Sequence, residues 1–91
     1  MPGKSIHKPE YKLLLALLIE MRDKADLKQA QLAERLERPQ SYVSDVERGV
    51  RRLDLLQLQE YCQACGQDLV AFVRKFDKAT RAPDTRGSAR K

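Results

Sequence analysis

Few side chains in this sequence are equipped for covalent or metal chemistry: one histidine, His7, two cysteines, Cys62 and Cys65, and three tyrosines, Tyr11, Tyr42 and Tyr61. A Cys-x-x-C pair in a helical pattern turns both thiols to one side, which suits a redox pair or half of a zinc site. No second pair completes a zinc site and His7 is remote in sequence, so two buried small apolar residues in a reducing compartment are the better account. None of the tyrosines has an acid or base that the sequence can place beside it. There is no nucleotide loop and no nucleophile–base spacing, so the reading is of a chain that is not an enzyme and needs no cofactor.

Hydrogen-bonding chemistry is richer. Gln40, Ser41, Ser44 and Asp45 fall on one side of a short stretch whose other side carries Val43 and Val46. A glutamine can make two hydrogen bonds to an adenine edge, a serine can donate to or accept from several bases, and a carboxylate can accept from a cytosine amino group. Asp45 either does so or points away. Five arginines, Arg35, Arg38, Arg48, Arg51 and Arg52, crowd around this stretch. They form either an ordinary solvated face or a set of phosphate contacts that hold the chain in register on a duplex.

Five helices must position these groups. Pro9 suits the first turn of a helix, where its missing N–H costs nothing, and helix 1 is expected from about Pro9 to Lys24. Leu14, Leu17, Leu18 and Met21 recur at helical spacing there, and Leu13, Leu15 and Ile19 widen the apolar surface beyond one stripe. Asp26 and Leu27 interrupt the pattern, and KQAQLAERL resumes it as helix 2 over residues 28–36, with Ala30, Leu32, Ala33 and Leu36 inward. Pro39 opens helix 3, Gln40 to Glu47, which stops at Gly49. VRR, residues 50–52, is a loop. Asp54 caps helix 4 with Gln57 completing a capping-box pair; Leu55, Leu58, Tyr61, Cys62 and Cys65 form its stripe and Gly66 ends it. Asp68 opens helix 5, in which Leu69, Phe72, Val73 and Phe76 recur at three or four.

The 91 residues leave room for one domain, 42% hydrophobic and 34% charged, and a domain this small is only marginally stabilised by its own core. Residues 1–8 read as an arm, 9–77 as the domain, and 78–91 as a disordered basic tail. The formal net charge of +5 is misleading. Residues 1–73 carry eleven basic and eleven acidic side chains, and the excess lies in residues 74–91, with seven basic and two acidic. The tail either adds non-specific attraction for DNA or simply solubilises the end. The longest apolar run, Leu13 to Ile19, is too short to span a membrane and no signal peptide is evident, so a cytoplasmic protein is expected.

The stretch LKQAQLAERLERPQSYVSDVERGVRRLDLLQLQEYCQACG resembles the Cro/C1-type (XRE-like) helix-turn-helix family of small bacterial, plasmid and phage regulators. The pattern comprises Leu27-x-Gln29 before helix 2, Leu32-Ala33 within it, the segment Ser41-x-Val43-Ser44-x-Val46-Glu47-x-Gly49, and a helix ending in a glycine, Gly66. The resemblance implies an all-α, five-helix, lambda-repressor-like bundle containing a helix-turn-helix. It implies sequence-specific binding to a double-stranded DNA operator by a homodimer, with helix 3 in the major groove.

Carried onto this chain, Gln40, Ser41, Ser44 and Asp45 take the base-reading positions. Lys28, Gln29, Arg38, Tyr42, Arg48, Arg51 and Arg52 contact the DNA backbone or support the reading helix. Gln29 braces Gln40, Tyr42 packs against the backbone or a thymine methyl, and Arg48 supports helix 3 or meets a phosphate. Glu47 is structural, paired with a nearby arginine. Val70, Val73 and Phe76 are the expected dimer contacts, with Leu15 and Ile19 as a competing surface.

Four positions depart from the family pattern. Glu37 replaces a common glycine in the turn between helices 2 and 3, which requires a turn tolerable to a residue with a side chain. Lys28 replaces a Ser or Thr cap, Ile19 stands where a basic residue is frequent, and Asp45 puts an acid in the reading helix. A different class of function fits the same bundle: an interaction module, such as an antitoxin or antiactivator, whose apolar helix 1 engages a partner protein.

Overall fold

The computed structural model describes residues 8–81, which form five helices: α1 Pro9–Lys24, α2 Gln29–Leu36, α3 Gln40–Glu47, α4 Leu55–Ala64 and α5 Leu69–Arg81. Among the described residues all regular structure is helical. The helix starts are those that the local sequence favours. Pro9 occupies the first turn of α1. Asp54 accepts from the Gln57 backbone N–H at 2.7 Å while Gln57 Oε1 accepts from the Asp54 N–H at 2.9 Å, a complete reciprocal cap for α4. At α5 the Asp68 carboxylate accepts from the Ala71 N–H at 3.0 Å. At α2 only half of this device exists: Gln31 Oε1 accepts from the Lys28 N–H at 2.8 Å, but an ammonium has no lone pair to offer in return.

The first four helices end alike. A residue with positive φ follows each one, Asp26 (61°), Glu37 (58°), Gly49 (81°) and Gly66 (73°). The next N–H then reaches back five residues: Leu27 to the Arg22 carbonyl, Arg38 to Ala33, Val50 to Asp45 and Gln67 to Cys62. This satisfies carbonyls that the helix end leaves orphaned and folds the chain sharply enough to keep each link short. Glu37 therefore does not relax the turn into a form suited to its side chain, as expected from sequence. It adopts the left-handed geometry that glycine favours, and the Arg38 N–H bonds back to the Ala33 carbonyl at 2.9 Å.

The core is one cluster. Leu18, Leu32, Val43, Val46, Tyr61 and Cys62 are essentially removed from solvent, joined by Met21, Leu27, Ala33, Tyr42, Cys65 and Phe72. Val43 and Val46 face inward as their spacing requires. Ala30 and Leu55, assigned to buried stripes, are exposed, and Leu58 is half-buried. Leu55 directly follows the Asp54 cap, and this first position of α4 lies outside the packed face. α5 continues to Arg81, four residues past the expected boundary at 77, with the Thr80 hydroxyl donating to the Phe76 carbonyl at 3.1 Å and Arg81 Nε to Asp77 at 3.2 Å. Residues 1–7 of the expected arm and 82–91 of the expected tail lie outside the described residues, while Lys8 is the N-cap of α1.

Cys62 and Cys65 are both unpaired and buried, and burial raises both thiols to about 11. Thiols held neutral in apolar surroundings are packing residues rather than nucleophiles or metal ligands. Among the described residues no cluster of three or more His, Cys, Asp or Glu side chains is arranged to hold a metal ion.

Two outcomes follow from this packing. A left-handed residue with a Cβ is strained by about 1–2 kcal/mol, only partly offset by the extra unfolded-state freedom of glycine. Thermal unfolding should therefore show Glu37→Gly melting above the parent and Glu37→Val below it. Because the folded pKa of each thiol is raised, the stability it contributes is complete below its ordinary value near 9 and is lost as pH rises through about 11. Denaturant titrations should show a decline over that window that becomes shallower in Cys62→Ala, when each protein is compared with its own stability at pH 8.

Candidate nucleic-acid interface

α3 has only eight residues, and a helix this short is marginal without tertiary support. Its inner face supplies that support through Val43 and Val46. Its C-terminus adds a polar anchor in Glu47, whose side chain is only 5% exposed. A buried carboxylate must find donors or lose its charge. Arg22 of α1 supplies a bidentate pair, Nε to Oε2 at 2.6 Å and Nη2 to Oε1 at 3.0 Å. Gln29 of α2 donates Nε2 to Oε1 at 2.9 Å, and the Tyr61 hydroxyl of α4 points at Oε2 from 3.5 Å. Arg22 is itself fixed by donating Nη1 to the Leu27 carbonyl at 2.9 Å. Its hydrogen bond to Glu47 raises the guanidinium pKa further. The Tyr61 phenol is pushed far above its ordinary value, first by burial and then by the Glu47 charge.

One carboxylate thus joins α3 to α1, α2 and α4. The connection continues outward, because Gln29 Oε1 lies 3.5 Å from Gln40 Nε2 at the start of α3. The amide that braces Gln40 is therefore the same one that donates to Glu47. Gln40 and Ser41 are exposed at the N-terminal end of α3, and Ser44 and Asp45 are half-exposed. The Asp45 carboxylate is engaged by Arg48 Nη2 at 2.7 Å, and its carbonyl accepts from the N–H groups of Val50 and Arg51. Arg48, 65% exposed at its side chain, is thereby held against α3.

Tyr42 departs from its expected place. Only 7% of the residue is exposed, so its ring is not presented to a thymine methyl. The Arg38 guanidinium lies 4.9 Å from the ring centroid and that of Arg51 lies 5.3 Å away, within cation–π range. Burial pushes the phenol pKa up, against the lowering effect of the two arginines. The ring gathers one cation from the turn before α3 and one from the loop after it. Arg52 stacks at 4.8 Å over Tyr11, Lys28 is exposed ahead of α2, and Arg35 caps α4 by donating to the Ala64 carbonyl at 2.8 Å. On α5, Val70 and Val73 are 57% and 42% exposed, while Phe76 is half-buried.

The arginine partner expected for Glu47 is present but comes from a different place in the chain. Arg48, the adjacent arginine, pairs with Asp45, and the partner of Glu47 comes from α1. Arg22 lies three residues beyond Ile19, on the same side of the helix and at the edge of its apolar stripe. That position was the available signal. The spacing places Tyr61 in a packing stripe, and no local pattern points its hydroxyl at Glu47.

Removing one partner of a buried ion pair leaves the other uncompensated and costs about 3–5 kcal/mol. Arg22→Met and Glu47→Leu should each lower the melting temperature sharply, and the double variant should lose less than the sum of the two. A double-mutant cycle by denaturant titration measures this coupling.

Comparison with known proteins places these features in a wider group. A family model described as helix-turn-helix matches residues 18–72. A solved structure, an XRE-family like protein from Pseudomonas syringae pv. tomato str. DC3000, is 42% identical to this chain, with a TM-score of 0.76, over 87% of this chain and 96% of that one. A search of curated proteins returned no match. Among the described residues no helix is long and apolar enough to cross a membrane. The matched span contains the whole assembly from Leu18 to Phe72, including Arg22, Glu47 and the exposed end of α3, and the chain belongs to the XRE/Cro-C1-type helix-turn-helix family of DNA-binding transcriptional regulators.

Proposed function

We propose that the protein is a homodimeric regulator that recognises a specific double-stranded operator by inserting α3 into the major groove. The observation that carries this reading is the exposed N-terminal end of α3, where Gln40 is braced by the Gln29 amide, Ser41 is exposed beside it, and Arg38 and Arg51 lie against the Tyr42 ring. In the proposal Gln40, Ser41 and Ser44 meet base edges. Asp45 serves mainly to hold Arg48, since its carboxylate is already engaged. Lys28, Arg38, Arg48, Arg51 and Arg52 meet phosphates and Gln29 keeps Gln40 in its reading rotamer. Tyr42 acts from beneath, as a support for two of those arginines.

A helix this short reads only a few base pairs, so selectivity calls for two copies spaced about one turn of DNA, roughly 34 Å. We assign the two-fold contact to α5 through Val70 and Val73, with Phe76 contributing its outer edge. Regulation then follows from occupancy: a dimer lying over promoter elements excludes polymerase, and one lying beside them recruits it.

Selection from a random duplex pool, followed by anisotropy titrations of the winning sequence and a scrambled control, tests the reading. Selective binding that weakens steeply from about 50 to about 200 mM salt is expected. Gln40→Ala with Ser44→Ala should cost tenfold or more on the selected duplex and little on the control. Arg51→Ala should weaken both and lower the salt slope by about one. Equal, weak binding to every duplex contradicts the proposal and favours a protein partner. In sedimentation runs, Val70→Glu with Val73→Glu should give a monomer. A dimer that survives this pair but is lost in Leu55→Glu with Leu56→Glu moves the two-fold axis to the start of α4, where both leucines are exposed.

A further inference from the structure

The helices do not close completely on one another. A cavity of about 300 Å³ opens between α1, the α3–α4 loop, α4 and α5. Leu14, Leu18, Val46, Leu53, Leu58 and Phe76 form its apolar walls. Leu18 and Val46 are among the most buried side chains in the molecule, so the cavity reaches down to the core and to the inner face of α3. Its mouth is polar. Lys8, Tyr11 and Arg52 stand there with a single acid, Glu10. Arg52 is held over the Tyr11 ring and makes no ion pair among the described residues. Lys8 and Glu10 begin α1, a helix of 16 residues whose N-cap side chain makes no capping bond, so the positive end of its dipole adds to the two cations.

An apolar interior with a net cationic rim is complementary to an amphipathic anion. Size narrows the class: at the ~30 Å³ that each water takes up in the liquid, the space accommodates about ten non-hydrogen atoms, the lower end of small-molecule sites. We propose that this cavity is an effector site for a medium-chain or aryl monocarboxylate, its tail against Leu18 and Leu58 and its carboxylate on Arg52 and Lys8. Binding requires no chemistry beyond burial and charge pairing. Where Arg52 meets a DNA phosphate, as the proposed function has it, the bound carboxylate takes that contact away. The ligand then acts as an inducer that releases DNA, giving this small domain a sensor inside its own bundle. The binding claim stands apart from the DNA reading, and only its regulatory consequence rests on it.

The test uses the full chain and octanoate as the probe, at low millimolar concentrations, with butyrate, octanol and octylammonium as controls. Octanoate at ten times its Kd should raise the melting temperature by at least about 4 °C and shift the amide resonances of Val46, Leu58 and Phe76, all without DNA present. Butyrate, octanol and octylammonium should do markedly less. Arg52→Ala, at an exposed position, should abolish the advantage of octanoate over octanol, and Leu58→Phe should block the tail. In the presence of the selected duplex, octanoate should raise the DNA Kd of the parent and leave that of Arg52→Ala unchanged. No octanoate shift, or equal shifts in parent and variants, overturns the site. Octanol matching octanoate removes the carboxylate preference. A shift that appears only in Ile6→Ser assigns the cavity to the chain's own N-terminal segment and likewise overturns the proposal.

Discussion

A carboxylate that is almost wholly removed from water must be surrounded by donors, and this requirement at Glu47 organises the bundle. The donors come from α1, α2 and α4, so its satisfaction fixes the position of α3 against three other helices at once. An apolar side chain at this position would pack with less desolvation cost, and a buried ion pair is not by itself a source of stability. What the charge adds is direction. Leucine tolerates a rotated or shifted α3, whereas a bidentate guanidinium 2.6 and 3.0 Å from the two carboxylate oxygens does not.

That rigidity has a use at the opposite end of the helix. Glu47 is the last residue of α3 and Gln40 the first, yet both contact Gln29, whose amide nitrogen faces one and whose amide oxygen faces the other. The exposed end of α3 is therefore referenced to the same buried group as its C-terminus. Tyr42 extends the arrangement sideways by keeping Arg38 and Arg51 close to the helix without neutralising either. The charges of this region are consequently divided. Arg22 and Glu47 cancel inside, Asp45 and Arg48 cancel at the edge, and Arg38, Arg51 and Arg52 lie against aromatic rings and make no ion pair among the described residues. A chain whose first 73 residues carry no net charge can thus still present positive potential beside one helix.

Most of the architecture was legible in the sequence because its determinants are local. Pro9, Asp54 with Gln57, Asp68, Gly49 and Gly66 mark helix ends through bonds to near neighbours, and Val43 and Val46 report the inner face of α3 by spacing alone. The errors arose where distance in space replaces distance in sequence. Arg22 and Glu47 are separated by 25 residues, and the place of Arg22 at the edge of its apolar stripe marks it as partly buried without naming its partner. Leu55 fits a helical stripe but sits at the first position of α4, outside the packed face. At Glu37 the expected turn is one tolerable to a residue with a side chain, and the residue occupies the left-handed region at φ 58°. The cavity was invisible because it is bounded by five parts of the chain, α1, α3, the α3–α4 loop, α4 and α5. The resemblance to Cro/C1-type regulators implied the proposed reading positions, and the structure adds the contacts around Gln40, through Gln29 to Glu47.

The most direct measurement of the central claim is a backbone and side-chain amide resonance titration of the labelled protein with a selected operator duplex. The account predicts that the largest changes fall on Gln40, Ser41 and Ser44, on the Gln29 side-chain amide, and on residues 38, 51 and 52, with the Arg22 Nε resonance protected throughout. Largest changes along α1 or α5, with α3 unmoved, would contradict it.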